Sequence, residues 1–368
     1  MRKVLLLVVS CLILFTVHSC NRITLKVFLP TEYIDEDLVK DFEKEYGFKV
    51  KLMTFDSNEE ALPLIQSGVY DIIIPSDYAI EELVTLGVLD EINWGQINFN
   101  KDDLADGIKT MLSELKNESG FDLLKYSVPY FWGNFGILYN RMASFTIGSE
   151  TLSALELLQR YNWEALNFGS STNNVGVYDS IRDMYMVALK ELYKDRSDNN
   201  TNQPTTTDLT AATSWLSSLF SNSNVKVITD EIYDDMVKKG QEKYALVTTY
   251  SGMAIWVMND NDNLAYYVPS TGTNIYIDAM CIPKNSTNKE LAYKFISYFL
   301  DKEVNKENSI SVAYTSVIQS VIDSIINEGV YASEAYNITF TSKDEIYRYN
   351  REIKDAFALG WISVRGQR

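Results

Sequence analysis

Histidine is nearly missing from this chain, with one residue, His18, among 368. Cysteine is scarce too, at three. Beyond the first twenty residues no apolar run is long enough to cross a bilayer. Those twenty have a basic start (Arg2, Lys3), a mostly apolar stretch over residues 4–17 that is short for a membrane span, and small residues before a cleavage point, the layout of a secretory signal. Removing residues 1–19 takes away His18 and Cys11. A mature chain without histidine has no histidine-based triad, no histidine general base and no histidine-ligated metal. Cys281, between Met280 and Ile282, reads as a small buried apolar residue. Basic charge is also short, with 33 Lys and Arg against 50 Asp and Glu and a net charge of −17. Loss of Arg2 and Lys3 takes this to about −19, which argues against nucleic acid and anionic membrane surfaces as partners and is compatible with cationic ligands.

What is present is a globular composition with 24 tyrosines. A mature chain of about 348 residues exceeds one hydrophobic core, so two lobes are expected. No Gly/Ser/Pro-rich linker separates them, which predicts a chain that crosses between lobes more than once, with a hinge beneath a cleft. Alternation over residues 23–28 predicts a first strand, and Leu38, Phe42 and Tyr46 mark one face of a helix. Residues 48–52 form a second strand, and Ser57 and Glu60 are spaced as a capping box. Ile72, Ile73 and Ile74 then form an apolar run that predicts a buried parallel strand, stopped by Pro75. The alternation of strands and helices implies an α/β fold with mainly parallel sheets flanked by helices. In such sheets ligands collect beyond the carboxyl ends of the strands, so Ser76, Asp77 and Tyr78 are candidate contacts, with helix capping as the competing role for Ser76 and Asp77. Residues 126–140, YSVPYFWGNFGILYN, predict an extended segment, a turn near Gly133 and a strand.

The end of the signal, VHSC, resembles a bacterial lipoprotein signal, which implies that Cys20 is lipidated and that residues 20–23 tether the protein to a membrane. Cys281 is then the only free thiol, and no intrachain disulfide forms.

Further stretches, in order over roughly residues 24–320, resemble the spermidine/putrescine-binding proteins of bacterial polyamine ABC transporters, within the type 1 extracellular solute-binding family. They are TEY at 31–33, the Ser57-Asn58-Glu59 stretch, YDIIIPSDY at 70–78, VPYFWGNFGILYN at 128–140, YDSIRDMYMVAL at 178–189, YIDAMCIPK at 276–284 and AYTS at 313–316. The resemblance implies a two-lobed type II periplasmic-binding-protein fold with the ligand between lobes. It places residues 24–130 and 277–310 in the first lobe, and 131–276 and 311–368 in the second. It implies ligand contacts from Thr31, Glu32, Tyr33, Ser76, Tyr78, Ser180, Asp183, Thr248, Tyr276, Asp278 and Tyr314. The sequence departs from the family pattern where Pro30, Thr248 and Tyr276 stand at or near tryptophan positions, and Ser180 stands at an aspartate. The implied partners are a polyamine, an ABC permease and its ATPase, and the membrane through the lipid anchor. A monomer without cofactor or catalytic activity is expected, exported to the periplasm or the cell surface.

The residue types suit that chemistry. A polyamine is a methylene chain with two or more ammonium groups. Carboxylates such as Glu32, Asp183 and Asp278 hold the ammoniums, and tyrosine faces cover the methylenes. A cation over an aromatic face gains about 0.5–2 kcal/mol, most of all over tryptophan, so tyrosine in its place retunes the site. Asp278 interrupts an apolar strand, where a carboxylate needs a partner. Asp183 also reads as a first-turn helix acid, and Tyr266-Tyr267 also reads as a tyrosinate iron pair. The alternatives are therefore the same fold holding another small cation or iron, or a surface lipoprotein that binds other proteins. Glycoside hydrolysis by paired carboxylates finds no recognisable motif here.

Overall fold

The structure, a computed structural model, describes residues 23–196, 201–229 and 231–366. The signal and Cys20 lie outside the described residues. No described helix is long and apolar enough to cross a membrane.

The first sheet has three parallel strands in the order Lys49–Phe55, Thr24–Pro30, Ile72–Ile73. The triple-isoleucine run is fully buried, and its regular pairing lasts only two residues before Pro75. Asp35 caps the helix Glu36–Tyr46, and Gly47 ends it in the left-handed region at φ 76°. Ser57 caps Asn58–Ser67 by accepting from the Glu60 amide.

A larger mixed sheet is built around the strand Val128–Asn140. Its first half pairs with Ile275–Met280 and with Thr315–Ser316. Its second half pairs with Leu246–Tyr250 and Leu264–Tyr267, and Leu246–Tyr250 continues through Val175–Tyr178 to Val225–Ile228. One strand therefore ties the two lobes together. Isolated bridges Ile73–Cys281 and Ser76–Asp278 join Ile275–Met280 to the first sheet. A third crossing follows residue 337, where Asn274 pairs with Glu345 before the helix Arg351–Arg365 packs on Ile181–Leu192 and Thr206–Ser221.

The expected turn at Gly133 is absent, and the strand runs unbroken through it. The glycine answers a steric demand instead: a Cβ there would lie 2.4 Å from Tyr276 Oη and 2.5 Å from Ser251 Oγ. Gly133→Ala is expected to lower stability by about 1–3 kcal/mol, the usual cost of overpacking, read by urea unfolding.

Two cores follow from this layout. Leu25, Val27, the isoleucine run and Phe295 fill one, and Phe135, Trp163, Val175, Met184 and Leu216 fill the other. Thr315–Ser316 pairs with Phe131 and Trp132, and the Ala105 amide donates to Val317 O at 2.8 Å. The apolar residues Val317, Ile318 and Val321 lie in the first of these two cores.

Candidate functional site between the lobes

The end of the isoleucine strand delivers Ser76, Asp77 and Tyr78 to different partners. Ser76 occupies the N-cap of the helix Asp77–Thr85 but makes no capping bond with its side chain. Its Oγ donates to Asp278 Oδ1 at 2.6 Å and accepts from Asn58 Nδ2 at 2.8 Å. The capping alternative therefore fails for Ser76. Asp77 is buried and accepts from the amides of Tyr78 at 2.6 Å and Ile277 at 3.0 Å, pinning the helix start to the crossing strand. Burial, with the charge of Asp278 adding, pushes Asp77 up to about 8 against the pull of those two amides.

Asp278 is the centre of the first cluster. Tyr33 donates to its Oδ2 and Ser76 to its Oδ1. It is 7 % exposed, and burial raises it to about 6 although both hydroxyl bonds oppose the rise. Tyr314 stands edge-on to Tyr33 at 4.4 Å between centroids. Gly252 makes room for Tyr314, since a Cβ would lie 2.5 Å from its ring. Tyr276 shares the strand with Asp278, and among the described residues its buried hydroxyl finds no partner at hydrogen-bond geometry. Burial drives the Tyr33 and Tyr276 phenols well above their usual range, so both stay protonated.

Asp183 is the centre of the second cluster. Tyr250 donates to its Oδ2 at 2.5 Å and Tyr347 to its Oδ1 at 2.7 Å. It is 1 % exposed, and burial raises its pKa against the pull of the Ser180, Tyr250 and Tyr347 hydroxyls and of nearby Arg182. Ser180 caps the helix Ile181–Leu192 by accepting from the Asp183 amide at 3.3 Å. Rings link the clusters, with Tyr250 edge-on to Tyr276 at 5.4 Å and to Tyr178 at 5.5 Å. The result is two buried carboxylates, each satisfied by neutral hydroxyls and joined by tyrosines. Buried negative charge served only by neutral donors favours an added cation, and the rings between give an apolar wall for a carbon chain.

Other predicted residues lie outside these clusters. Thr31 is exposed and donates to Asp56 Oδ1 at 2.8 Å. Glu32 is exposed, adopts the left-handed region at φ 56°, and lies near enough to Tyr314 to act on it electrostatically. Tyr78 donates to Glu59 Oε1 at 3.1 Å, and the Arg182 guanidinium lies 4.4 Å from its ring centroid. Thr248 is fully buried, its Oγ1 accepting from the Tyr178 amide at 2.8 Å. It lies two residues inside the strand end, about 7 Å along the strand from Tyr250, the residue bonded to Asp183. Trp132 is core packing, with its indole donating to Ser316 O at 2.9 Å. Tyr266 is likewise internal, its hydroxyl 3.1 Å from Asn134 Oδ1 and 3.2 Å from Thr249 O. No group of three or more potential metal ligands occurs among the described residues.

Sequence reasoning missed Tyr250, Tyr347 and Arg182. Tyr250 ends a strand, the same signal that singled out Tyr78. Tyr347 lies in an irregular stretch near the carboxyl end, where no periodicity shows which way it faces.

Comparison with known proteins gives a consistent picture. The family model for bacterial extracellular solute-binding proteins matches residues 37–334. A spermidine/putrescine-binding periplasmic protein of Salmonella typhimurium is 27 % identical over 301 residues, covering 81 % of this chain and 78 % of that protein. A putrescine-binding periplasmic protein of Escherichia coli is 25 % identical over 303 residues, covering 80 % and 77 %. Among solved structures, a putative spermidine/putrescine ABC transporter protein from Listeria monocytogenes superposes with a TM-score of 0.76 at 28 % identity, covering 94 % of this chain and 99 % of that one.

Proposed function

The chain belongs to the bacterial extracellular solute-binding proteins, and from that premise we propose that it captures a polyamine, putrescine or spermidine, between its lobes and hands it to the permease of an ABC importer. The observation that carries this reading is the pair of buried carboxylates, Asp278 and Asp183, each held by neutral hydroxyls and linked through the ring contact of Tyr250 with Tyr276. An ammonium at each end matches two anchors, and Tyr276, Tyr250 and Tyr314 flank the methylenes. Tyr276 Oη, without a hydrogen-bond partner among the described residues, accepts a bond from a ligand N–H, which an indole in its place could not do. The names of the relatives support the ligand class. Capture and release is the whole reaction, with no catalytic step.

In this reading the lobes divide along residues 128–140 and 275–280. Tyr33, Ser76 and Tyr78 belong to the first, Asp183, Tyr250 and Tyr347 to the second, and residues 311–327 join the first. Cys20 carries the lipid that keeps the monomer beside its permease and ATPase.

The test is calorimetric titration of the purified processed protein with putrescine, cadaverine and spermidine. Saturable heat is expected, and ligand at 100 times Kd should raise the unfolding free energy by about 2.7 kcal/mol. Absence of binding across the series would remove the ligand assignment and leave the fold standing.

A further inference from the structure

The helix Asp77–Thr85 is held in the first lobe by Ala79, Ile80 and Leu83, all buried. Another face carries Tyr78, Glu81 and Glu82, spaced i, i+3 and i+4 as one helical stripe. All three reach residues of the second lobe. Arg348 donates its Nε to Glu81 Oε2 at 2.9 Å and its Nη2 to Oε1, and the Tyr349 amide donates to the same Oε2 at 2.8 Å. Lys354 Nζ meets Glu82 Oε2 at 3.2 Å. The Arg182 guanidinium lies 4.4 Å from the Tyr78 centroid and 5.2 Å from that of Tyr347, and its Nη1 donates to Arg348 O at 3.3 Å.

The second-lobe side of these contacts is itself anchored. Asn202 donates to Ile346 O and accepts from the Arg348 amide, each at 2.8 Å, and Phe357 stacks on Tyr185 at 4.5 Å. Side chains of Glu81 and Arg348 are 15 % and 22 % exposed. A two-pronged guanidinium–carboxylate pair that is mostly withdrawn from water, with an added main-chain donor, keeps strength that exposed pairs lose. Neither residue bonds to Asp278 or Asp183, whose donors are tyrosine and serine hydroxyls.

We propose that this stripe is a closing latch, and that Glu81 and Arg348 are positioning residues that set ligand affinity without touching the ligand. The proposal rests on the reading that the lobes close on their solute. A ligand moves an open–closed equilibrium only by contacts that differ between the two states. Contacts made by the protein to itself only when the lobes meet favour closure equally for every ligand, so they raise affinity and leave selectivity alone.

Arg348→Ala, Glu81→Gln and the double variant test this by calorimetry with putrescine and spermidine and by small-angle scattering without ligand. Arg348→Ala is expected to weaken both amines by ~10-fold, a usual size for coupling between distinct sites. Their affinity ratio should not move, and the double variant should be no weaker than the worse single one, because the two changes remove one interaction. Added salt should weaken the wild type more steeply than Arg348→Ala. Without ligand, Arg348→Ala should scatter as a more open particle. Unchanged affinity would overturn the proposal, as would a shifted amine ratio, which would put the pair in the ligand site. If neither amine binds the wild type, the capture reading falls and scattering alone decides: a more open variant supports the latch, and identical curves overturn it.

Discussion

Asp278→Asn is expected to bind putrescine ~100-fold more weakly than the wild type while folding at least as stably at neutral pH. The two effects have opposite signs for one reason. In the free protein the ionised carboxylate is buried, with the hydroxyls of Tyr33 and Ser76 its only donors among the described residues, so its charge is a cost. An amide of the same shape keeps one acceptor, and a rotatable hydroxyl turns to accept from its N–H. In the complex the carboxylate faces an ammonium, and loss of the ion pair leaves a buried ligand cation without a counter-charge. Breaking a buried pair from one side costs about 3–5 kcal/mol, and 2.7 kcal/mol already corresponds to ~100-fold. Calorimetry for affinity and urea unfolding for stability check the two halves separately. A variant that binds like the wild type would remove Asp278 as an anchor. One that loses binding together with folding would mean that Asp278 is structural.

Much of this arrangement was legible in the sequence, and what was not has physical causes. Asp278 stood out because a carboxylate within YIDAMCIP breaks an apolar strand, and the structure gives it two hydroxyl partners. The short parallel strand ending at Pro75 was legible because a pyrrolidine ring and three isoleucines leave few alternatives. Gly133 was misread because glycine meets two different demands, a special backbone conformation and room for a neighbour. Only the packing of Tyr276 and Ser251 against the strand shows which one applies. The burial of Thr248, two residues short of its strand's end, did not show in the sequence, since motif spacing locates a strand but not where its ladder stops. The Tyr78–Glu81–Glu82 face was not singled out in the sequence. Its partners Arg182, Arg348 and Lys354 come from residues 100 and more away in the chain, and local sequence carries no trace of that pairing.

The same buried carboxylates predict that stability without ligand and affinity for ligand run in opposite directions with pH. Asp278 is raised to about 6 and Asp77 to about 8, both chiefly by burial. An unfolded aspartate titrates near 3.9. Between those values the folded chain holds protons that the unfolded chain has released. Unfolding then becomes easier as pH rises, and the stability of the free protein falls from about pH 4 towards pH 8. Asp278 alone accounts for ~3 kcal/mol of that fall. Carboxylates held low, such as Asp208 at about 2 beside Thr205 and Arg196, lose their contribution only at more acidic pH. The ammoniums of a diamine titrate near 10 and stay charged throughout. Their pairing needs ionised Asp278, so affinity should drop ~10-fold for each pH unit below about 6, with Asp183, also raised by burial, adding to the loss. The melting shift given by a fixed excess of putrescine should therefore grow from pH 5 to pH 7.5, just where the free protein weakens. Asp278→Asn removes the step near 6 from both curves. An affinity that stays flat between pH 5 and 7.5 in the wild type would show that the ligand cation does not rest on Asp278.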